Sequence, residues 1–136
     1  MDPRTTKTIV VEDHEIFRKY LKTFVEQVDH CKIVAEASDG NEALDTIKNV
    51  PADLIVLDLS LPRLSGIRVL KEAKKISQTK ILVISMHTDK DVVQTALDAG
   101  ADGFCQKDMG VKVLEKAILE TLDGKRPVYA VMDESK

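Results

Sequence analysis

Five side chains that could take part in chemistry follow short apolar runs of this sequence. They are Glu12, Asp13, Asp58, Ser85 and Lys107. Asp58 ends the apolar run at 54–57, and Pro62 and Gly66 mark a sharp turn soon after it. A short apolar run without alternation is typical of a buried strand of a parallel sheet, and ligands of such sheets bind at the carboxyl ends of the strands. Asp58 is therefore a candidate reactive group.

Three carboxylates, if the fold brings them together, need a cation. The charges of Glu12, Asp13 and Asp58 would repel one another and raise each other's pKa unless a positive charge lay among them. Mg²⁺ prefers oxygen ligands and is often held by one or two carboxylates and a phosphate, and Mn²⁺ accepts the same ligands. The sequence has no cluster of histidines and cysteines that would favour zinc. These residue types predict a Mg²⁺ or Mn²⁺ site.

The same residues could transfer a phosphoryl group onto an aspartate. A carboxylate oxygen of Asp58 would attack phosphorus, while a metal ion and the Lys107 ammonium neutralise charge on the phosphoryl oxygens and the Ser85 hydroxyl donates to one of them. Each residue alone has an ordinary explanation as a cap, a surface charge or a turn residue. Their positions at four separate turns favour the chemical interpretation.

Hydrophobic patterns divide the chain into alternating strands and helices. Strands are predicted at 7–11, 32–37, 54–57, 80–84 and 102–106, and helices at 16–28, 42–49, 66 to about 76, 89–99 and 110–123. The first helix has one apolar face that runs from Ile16 through Tyr20 to Val28. Five such units predict a doubly wound α/β fold with a parallel sheet, because parallel strands need crossover connections. The five candidate residues would then share one edge of the sheet.

Length and composition limit the class of protein. The 136 residues, 43% of them hydrophobic, suit one domain, and a net charge of −3 argues against a dominant electrostatic affinity for nucleic acid or an anionic membrane. No apolar run is long enough to span a bilayer. Cys31 and Cys105 fit no metal or redox spacing, which predicts buried free thiols in a reducing compartment. A cytoplasmic protein is expected.

Four short motifs together resemble the receiver domain of bacterial two-component response regulators. They are Glu12-Asp13, the run D-L-S-L-P-R-L-S-G from Asp58, Ser85, and the run G-F-C-Q-K that ends at Lys107. The resemblance implies a flavodoxin-like sheet of five parallel strands in the order 2-1-3-4-5, with five helices. It also implies a leader at 1–6, a receiver domain at 7–124 and a C-terminal tail or truncated linker at 125–136.

The resemblance implies a role for each site residue. Asp58 would accept a phosphoryl group from the phosphohistidine of a sensor histidine kinase, and the chain would catalyse only its own phosphorylation and dephosphorylation. Mg²⁺ would be held by Glu12, Asp13, Asp58 and the backbone carbonyl of Ser60. Ser85 and Lys107 would bind the phosphoryl oxygens.

Further residues match positions that, in this family, move on phosphorylation or set the lifetime of the phosphoaspartate. Ser85 and Phe104 would form a switch that changes the surface of helix 4, strand 5 and helix 5, and Ser60 and His87 would tune the lifetime of the phosphoaspartate. Homodimers through that surface, or through helices 1 and 5, are compatible with the family. This sequence departs from the common pattern in having Phe rather than Tyr at 104 and Asp108 where many receivers have proline.

The sequence leaves two possibilities for how the receiver passes on its signal. The pair Lys107-Asp108 and the run G-K-R-P-V-Y after helix 5 resemble the subgroup that is usually joined to a LuxR-type helix-turn-helix domain. The residues after Gly124 are too few for a second domain, so we expect control of transcription through an output domain left off this chain, without direct nucleic acid binding by the chain itself. A stand-alone receiver that acts through protein contacts is the alternative.

Three rival functions use a similar fold or similar residues. A haloacid-dehalogenase-like phosphatase needs a second aspartate two residues after the nucleophile, where this chain has Ser60. A flavodoxin-like electron carrier binds phosphate in its first loop, which Glu12, Asp13 and Glu15 would repel. A pure interaction module that is never phosphorylated is disfavoured by the intact set of acid, hydroxyl and lysine.

Overall fold

A computed structural model describes residues 5–28, 30–61 and 64–131 of the chain. Its strands are β1 (Thr6–Val11), β2 (Cys31–Ala37), β3 (Leu54–Asp58), β4 (Lys80–Ser85), β5 (Gly103–Gln106) and β6 (Val128–Tyr129). Its helices are α1 (Glu15–Val25), α2 (Gly40–Asn49), α3 (Gly66–Ile76), α4 (Lys90–Asp98) and α5 (Val111–Leu122). Every predicted strand and helix is present, although α1 ends before Val28.

The described strands form one parallel sheet in the order β2-β1-β3-β4-β5-β6. The flavodoxin-like α/β fold and the order of the first five strands are confirmed, but the prediction of five strands is wrong by one. The sixth strand comes from the segment predicted as a tail or linker. It has only two residues, too few to show a hydrophobic period, and it forms because the edge of β5 offers unpaired backbone groups.

Helices cover both faces of the sheet, which accounts for the apolar character of its central strands. All five residues of β3 are buried, so its side chains lack the polar alternation of a half-exposed strand. Val56 packs with α1 and α5 on one face, and Leu57 packs with α2, α3 and α4 on the other. Each such side chain contributes about 1.5–3 kcal/mol through its burial.

The turn after β3 is fixed by a glycine that no other residue could replace without a shift. A Cβ at Gly66 would lie 2.4 Å from Leu59 Cα, and the Gly66 N–H donates to the Leu59 carbonyl at 3.1 Å. Ser65 then caps α3 by accepting from the Arg68 N–H at 3.2 Å. The chain therefore folds back closely on itself beside Asp58.

Two further expectations can be compared with the described residues. Cys31 and Cys105 are buried and form no disulfide, as predicted. Within the described ranges, no helix combines the length and apolarity needed to cross a membrane.

Candidate functional site

The acidic site lies at the carboxyl ends of two neighbouring strands. Val11 of β1 pairs with Leu57 of β3, so Glu12 and Asp58, the next residues of each strand path, lie side by side. One carboxylate oxygen from each of Glu12, Asp13 and Asp58 lies within 4.8 Å of the others. Glu12 is fully buried and Asp58 is 1% exposed, whereas Asp13 is exposed. The three acids therefore form a cluster that opens to solvent on the Asp13 side.

Lys107 supplies the positive charge of this cluster. Its Nζ lies 3.0 Å from Glu12 Oε1 and 3.4 Å from Asp58 Oδ2, and 4.6 Å from the centroid of the Phe17 ring. Its backbone N–H donates to the Ser85 carbonyl at 3.0 Å, which holds the end of β5 against the end of β4. This one ammonium is set against a cluster of three carboxylates, two of which it contacts, so the cluster keeps an excess of negative charge.

The chemistry of the donors fits a hard divalent cation. Among the described residues, Glu12 Oε1 has no hydrogen-bond partner although it is buried, and its contact with Lys107 Nζ is an ion pair without hydrogen-bond geometry. Burial raises the pKa of Glu12, and the nearby charge of Asp58 raises it further. A cation that binds this oxygen would relieve both effects, and carboxylate oxygens are the ligands that Mg²⁺ prefers.

Both oxygens of Asp58 have partners in the protein. The Ser60 N–H donates to Oδ1 at 3.0 Å, and Oδ2 faces Lys107. These contacts orient the Asp58 carboxylate, and a carboxylate oxygen is the nucleophile that an attack on phosphorus requires. The predicted role of the Ser60 carbonyl as a metal ligand stays a prediction.

The side chains of Ser85 and Phe104 make their contacts outside the acidic cluster. The Ser85 hydroxyl accepts from the His87 N–H at 2.9 Å and donates to the His87 carbonyl at 3.0 Å. Phe104 is fully buried on the face of the sheet covered by α2, α3 and α4, and the residue His87 is exposed. The structure thus brings Glu12, Asp13, Asp58 and Lys107 together and leaves the Ser85 hydroxyl bonded to its own loop.

Sequence reasoning missed an apolar groove next to Lys107. The groove has a volume of about 630 Å³ and is lined by His14, Ile16, Phe17, Tyr20, Met86, Lys107, Asp108 and Gly110. Ile16 and Tyr20 are 76% and 43% exposed, so the apolar face predicted for helix 1 is only partly buried. The adjacent apolar pairs 16–17 and 20–21 are the sequence signal for this exposed surface, because they make the apolar stripe of helix 1 wider than one buried face.

The fold and this acidic site define a class of protein. Residues 8–119 match the family model of the response regulator receiver domain, and the chain belongs to that family. Within the family it is a receiver domain of the NarL/LuxR type.

Two curated relatives show this similarity along most of the chain. The chain is 36% identical over 111 residues to the uncharacterized transcriptional regulatory protein YhcZ of Bacillus subtilis, covering 81% of this chain and 52% of that protein. It is 32% identical over 117 residues to the nitrate/nitrite response regulator protein NarL of Escherichia coli, covering 85% of this chain and 54% of the relative. The chain thus spans about half the length of these relatives.

Two solved structures have a closely similar fold. A LuxR-family two-component response regulator from Aurantimonas sp. SI85-9A1 is 31% identical with a TM-score of 0.86, over 90% of this chain and 89% of that one. The signal receiver domain of a Mycobacterium tuberculosis response regulator described as NarL is 32% identical with a TM-score of 0.84, over 90% and 99% of the two chains.

Proposed function

We propose that this receiver domain accepts a phosphoryl group on Asp58 from the phosphohistidine of a sensor histidine kinase, and that the modification regulates transcription. The observation that carries the proposal is the setting of Asp58, which is buried beside Glu12 and Lys107 with its oxygens oriented by the Ser60 N–H and the Lys107 ammonium. The chain is a signalling protein rather than a metabolic enzyme, and the chemistry it catalyses is on itself.

In the reaction, one carboxylate oxygen of Asp58 forms a bond to phosphorus as the bond between phosphorus and the histidine nitrogen breaks. The imidazole leaves with the electron pair, and the product is an acyl phosphate. Lys107, 3.4 Å from Asp58 Oδ2, is placed to bind a phosphoryl oxygen and offset its charge. Hydrolysis of the acyl phosphate by water later returns Asp58 to its carboxylate form, at a rate that Ser60 and His87 would tune.

The acidic cluster would hold the metal ion that this reaction requires. Glu12, Asp13 and Asp58 would provide carboxylate oxygens, and Ser60 its backbone carbonyl. A bound Mg²⁺ or Mn²⁺ supplies positive charge against the phosphoryl oxygens. The buried Glu12 oxygen without a hydrogen bond supports this assignment.

Phosphorylation would change a surface through Ser85 and Phe104. The Ser85 hydroxyl has one hydrogen, which it now donates to the His87 carbonyl. To donate to a phosphoryl oxygen instead, it must give up that bond and release the loop after β4. Phe104 pairs with Val83 of β4 in the sheet, so a shift of the end of β4 would repack it and alter the surface of α4, β5 and α5.

The kinase would dock on the apolar groove. A phosphohistidine can reach Asp58 only if its protein covers the edge of the sheet around Lys107, and the groove borders that lysine. Exposed Ile16, Tyr20 and Met86 offer it apolar surface, which is typical of the centre of a protein interface. Cys31 and Cys105 form no disulfide, which is compatible with placing this exchange in the reducing cytoplasm.

Control of transcription is the output that the relatives support. The matching curated proteins include transcriptional regulatory proteins of which this chain spans about half, and a LuxR-family response regulator is among the similar structures. The receiver would act through a DNA-binding domain rather than by touching nucleic acid itself.

The test is to incubate the full chain with acetyl phosphate and Mg²⁺ and to measure its mass. We expect the gain of one phosphoryl group, and no gain in Asp58→Asn or after removal of Mg²⁺ with a chelator. Asp53→Asn is the matched control. Asp53 is an exposed acid just before the other end of β3, and its carboxylate accepts a hydrogen bond from the Lys7 N–H. An unchanged mass of the wild-type chain, or equal modification of Asp58→Asn, would contradict the proposal.

A further inference from the structure

The C-terminal segment, defined here as residues 126–131, is attached along the edge of the sheet. The Arg126 guanidinium donates to the Leu97 carbonyl at 2.9 Å and to the Ala101 carbonyl at 2.9 and 3.1 Å. These bonds hold Arg126 at a φ of 50°, in the left-handed region that side chains rarely adopt. The Pro127 carbonyl accepts from the Phe104 N–H at 2.9 Å, and β6 follows. The segment is therefore docked on α4 and β5.

The last described residue of this segment bridges the end of β5 and the loop after β4. The Val131 N–H donates to Gln106 Oε1 at 2.9 Å, and the Val131 carbonyl accepts from Thr88 Oγ1 at 2.8 Å. Gln106 directly precedes Lys107, and Thr88 directly follows His87, whose backbone holds the Ser85 hydroxyl. We name Thr88, Gln106 and Val131 the Val131 clamp.

The hydrogen bonds of Ser85 connect this clamp to Asp58. The loop that carries Thr88 is held at its start by the paired bonds between the Ser85 hydroxyl and the His87 backbone. If the hydroxyl turns to a phosphoryl group on Asp58, the bond to the His87 carbonyl is lost and the loop no longer has the shape that places Thr88 against Val131. We propose that phosphorylation of Asp58 opens the Val131 clamp and loosens the C-terminal segment from β5. This inference rests on the proposed function of Asp58.

The attachment is weak enough to be opened by such a change. Pro127 is buried and Tyr129 is half-buried, but the strand β6 has only two residues, and Val128 and Val131 are 37% and 68% exposed. The segment is therefore least firmly attached at its Val131 end. Short, exposed hydrogen-bonded segments have the lowest local opening free energies of a fold. Ala130 packs against the core cluster that contains Phe104, so loosening the segment would also uncover the side of β5 where the predicted switch residue lies.

The first test follows amide hydrogen exchange of the full chain with and without acetyl phosphate and Mg²⁺. Phosphorylation is expected to speed exchange in residues 128–131 by roughly tenfold, the effect of losing one or two hydrogen bonds, while exchange in β1 stays unchanged. Asp58→Asn should show no change on addition of the phosphodonor. If mass spectrometry shows a phosphoryl group and exchange at 128–131 is unaltered, the coupling is wrong while the proposed function stands. If the chain gains no phosphoryl group, both are wrong.

The second test removes one bond of the clamp without touching the phosphorylation site. Thr88→Val deletes the hydroxyl that binds the Val131 carbonyl, and Thr95→Val is the matched control on the exposed face of α4. In the unphosphorylated chain, Thr88→Val should speed exchange at 128–131 by roughly threefold, the usual worth of one exposed hydrogen bond. Because coupling is reciprocal, it should also tighten the binding of beryllofluoride, a non-covalent phosphoryl mimic, by a similar factor. Equal exchange rates and equal affinities in the two variants would overturn the clamp.

Discussion

Two groups of lysine and carboxylate lie at opposite ends of this sheet, and they differ in charge balance. Near the amino ends of the strands, Lys74 Nζ lies 2.8 Å from Asp102 Oδ2, and the same oxygen accepts from the Ile81 N–H at 2.8 Å. One ammonium meets one carboxylate there. At the carboxyl ends, the single ammonium of Lys107 faces Glu12 and Asp58, with Asp13 close by.

The difference in charge balance distinguishes a structural ion pair from a site that can bind a cation. The pair of Lys74 and Asp102 is balanced and joins α3 to the loop before β5. In the acidic cluster, by contrast, a buried Glu12 oxygen lacks a hydrogen bond. Unbalanced buried charge costs stability, and in a receiver domain that cost is offset when a cation binds. Variants of each group test this distinction.

Removing the Lys107 ammonium from the acidic cluster should destabilise the folded chain most. Lys107→Met leaves Glu12 and Asp58 without their ammonium, so the free energy of unfolding should fall by about 3 kcal/mol. Urea denaturation at neutral pH without Mg²⁺ measures this loss. Lys74→Met is the matched control and should cost less, because Asp102 is more exposed and keeps the Ile81 N–H. Equal losses in the two variants would refute the distinction.

Addition of Mg²⁺ should stabilise the folded chain by nearly as much. At a concentration one hundred times its dissociation constant, a ligand specific for the folded state adds about 2.7 kcal/mol to the free energy of unfolding. Denaturation with and without Mg²⁺ tests this. Asp13→Asn should reduce the stabilisation and Asp102→Asn should retain it, and a reversed order would place the metal elsewhere.

Loss of the balanced pair should weaken the fold and leave the chemistry intact. Asp102→Asn removes the charge that binds Lys74 but keeps an oxygen for the Ile81 N–H, so we expect a loss of about 1 kcal/mol in the free energy of unfolding. The rate of phosphorylation by acetyl phosphate should equal that of the wild type. A large drop in that rate would show that the two ends of the sheet are coupled.

The smallest effect is expected at the surface, where Glu36 meets two cations. The hydrogen bond from Lys22 and, less strongly, that from Arg18 lower the pKa of Glu36 below its ordinary value of 4.5. A lowered folded-state pKa gives stability that is present above the unfolded pKa and is lost as the pH falls through the folded one. Glu36→Gln should therefore cost about 0.5 kcal/mol at pH 7, because the group is partly exposed.

The pH dependence of the free energy of unfolding tests the stability assigned to Glu36. In urea denaturation, the difference between the wild type and Glu36→Gln should shrink as the pH falls below 4.5 and vanish in stronger acid. A difference that grows in acid would contradict the assigned sign.

The sequence predicted those features that depend on periodic patterns and strand ends. β1 to β5 and the five helices follow from hydrophobic spacing, and the meeting of Glu12, Asp58 and Lys107 follows from parallel strands. The sixth strand was missed because two residues show no period. The bonds of the Ser85 hydroxyl could not be predicted because they depend on a side-chain rotamer and on the shape of the loop. The exposure of Ile16 and Tyr20 could not be predicted because it depends on which part of the apolar face of α1 is covered by neighbouring elements.

Asp58, among all the carboxylates of the chain, should carry the phosphoryl group. The most direct measurement is to treat the phosphorylated chain with borohydride, which reduces an acyl phosphate to an alcohol, and to sequence the peptides by mass spectrometry. We predict that the aspartate converted to homoserine is Asp58 alone. Conversion of another acid, such as Asp13, or of none in a chain that has gained a phosphoryl group, would contradict this function.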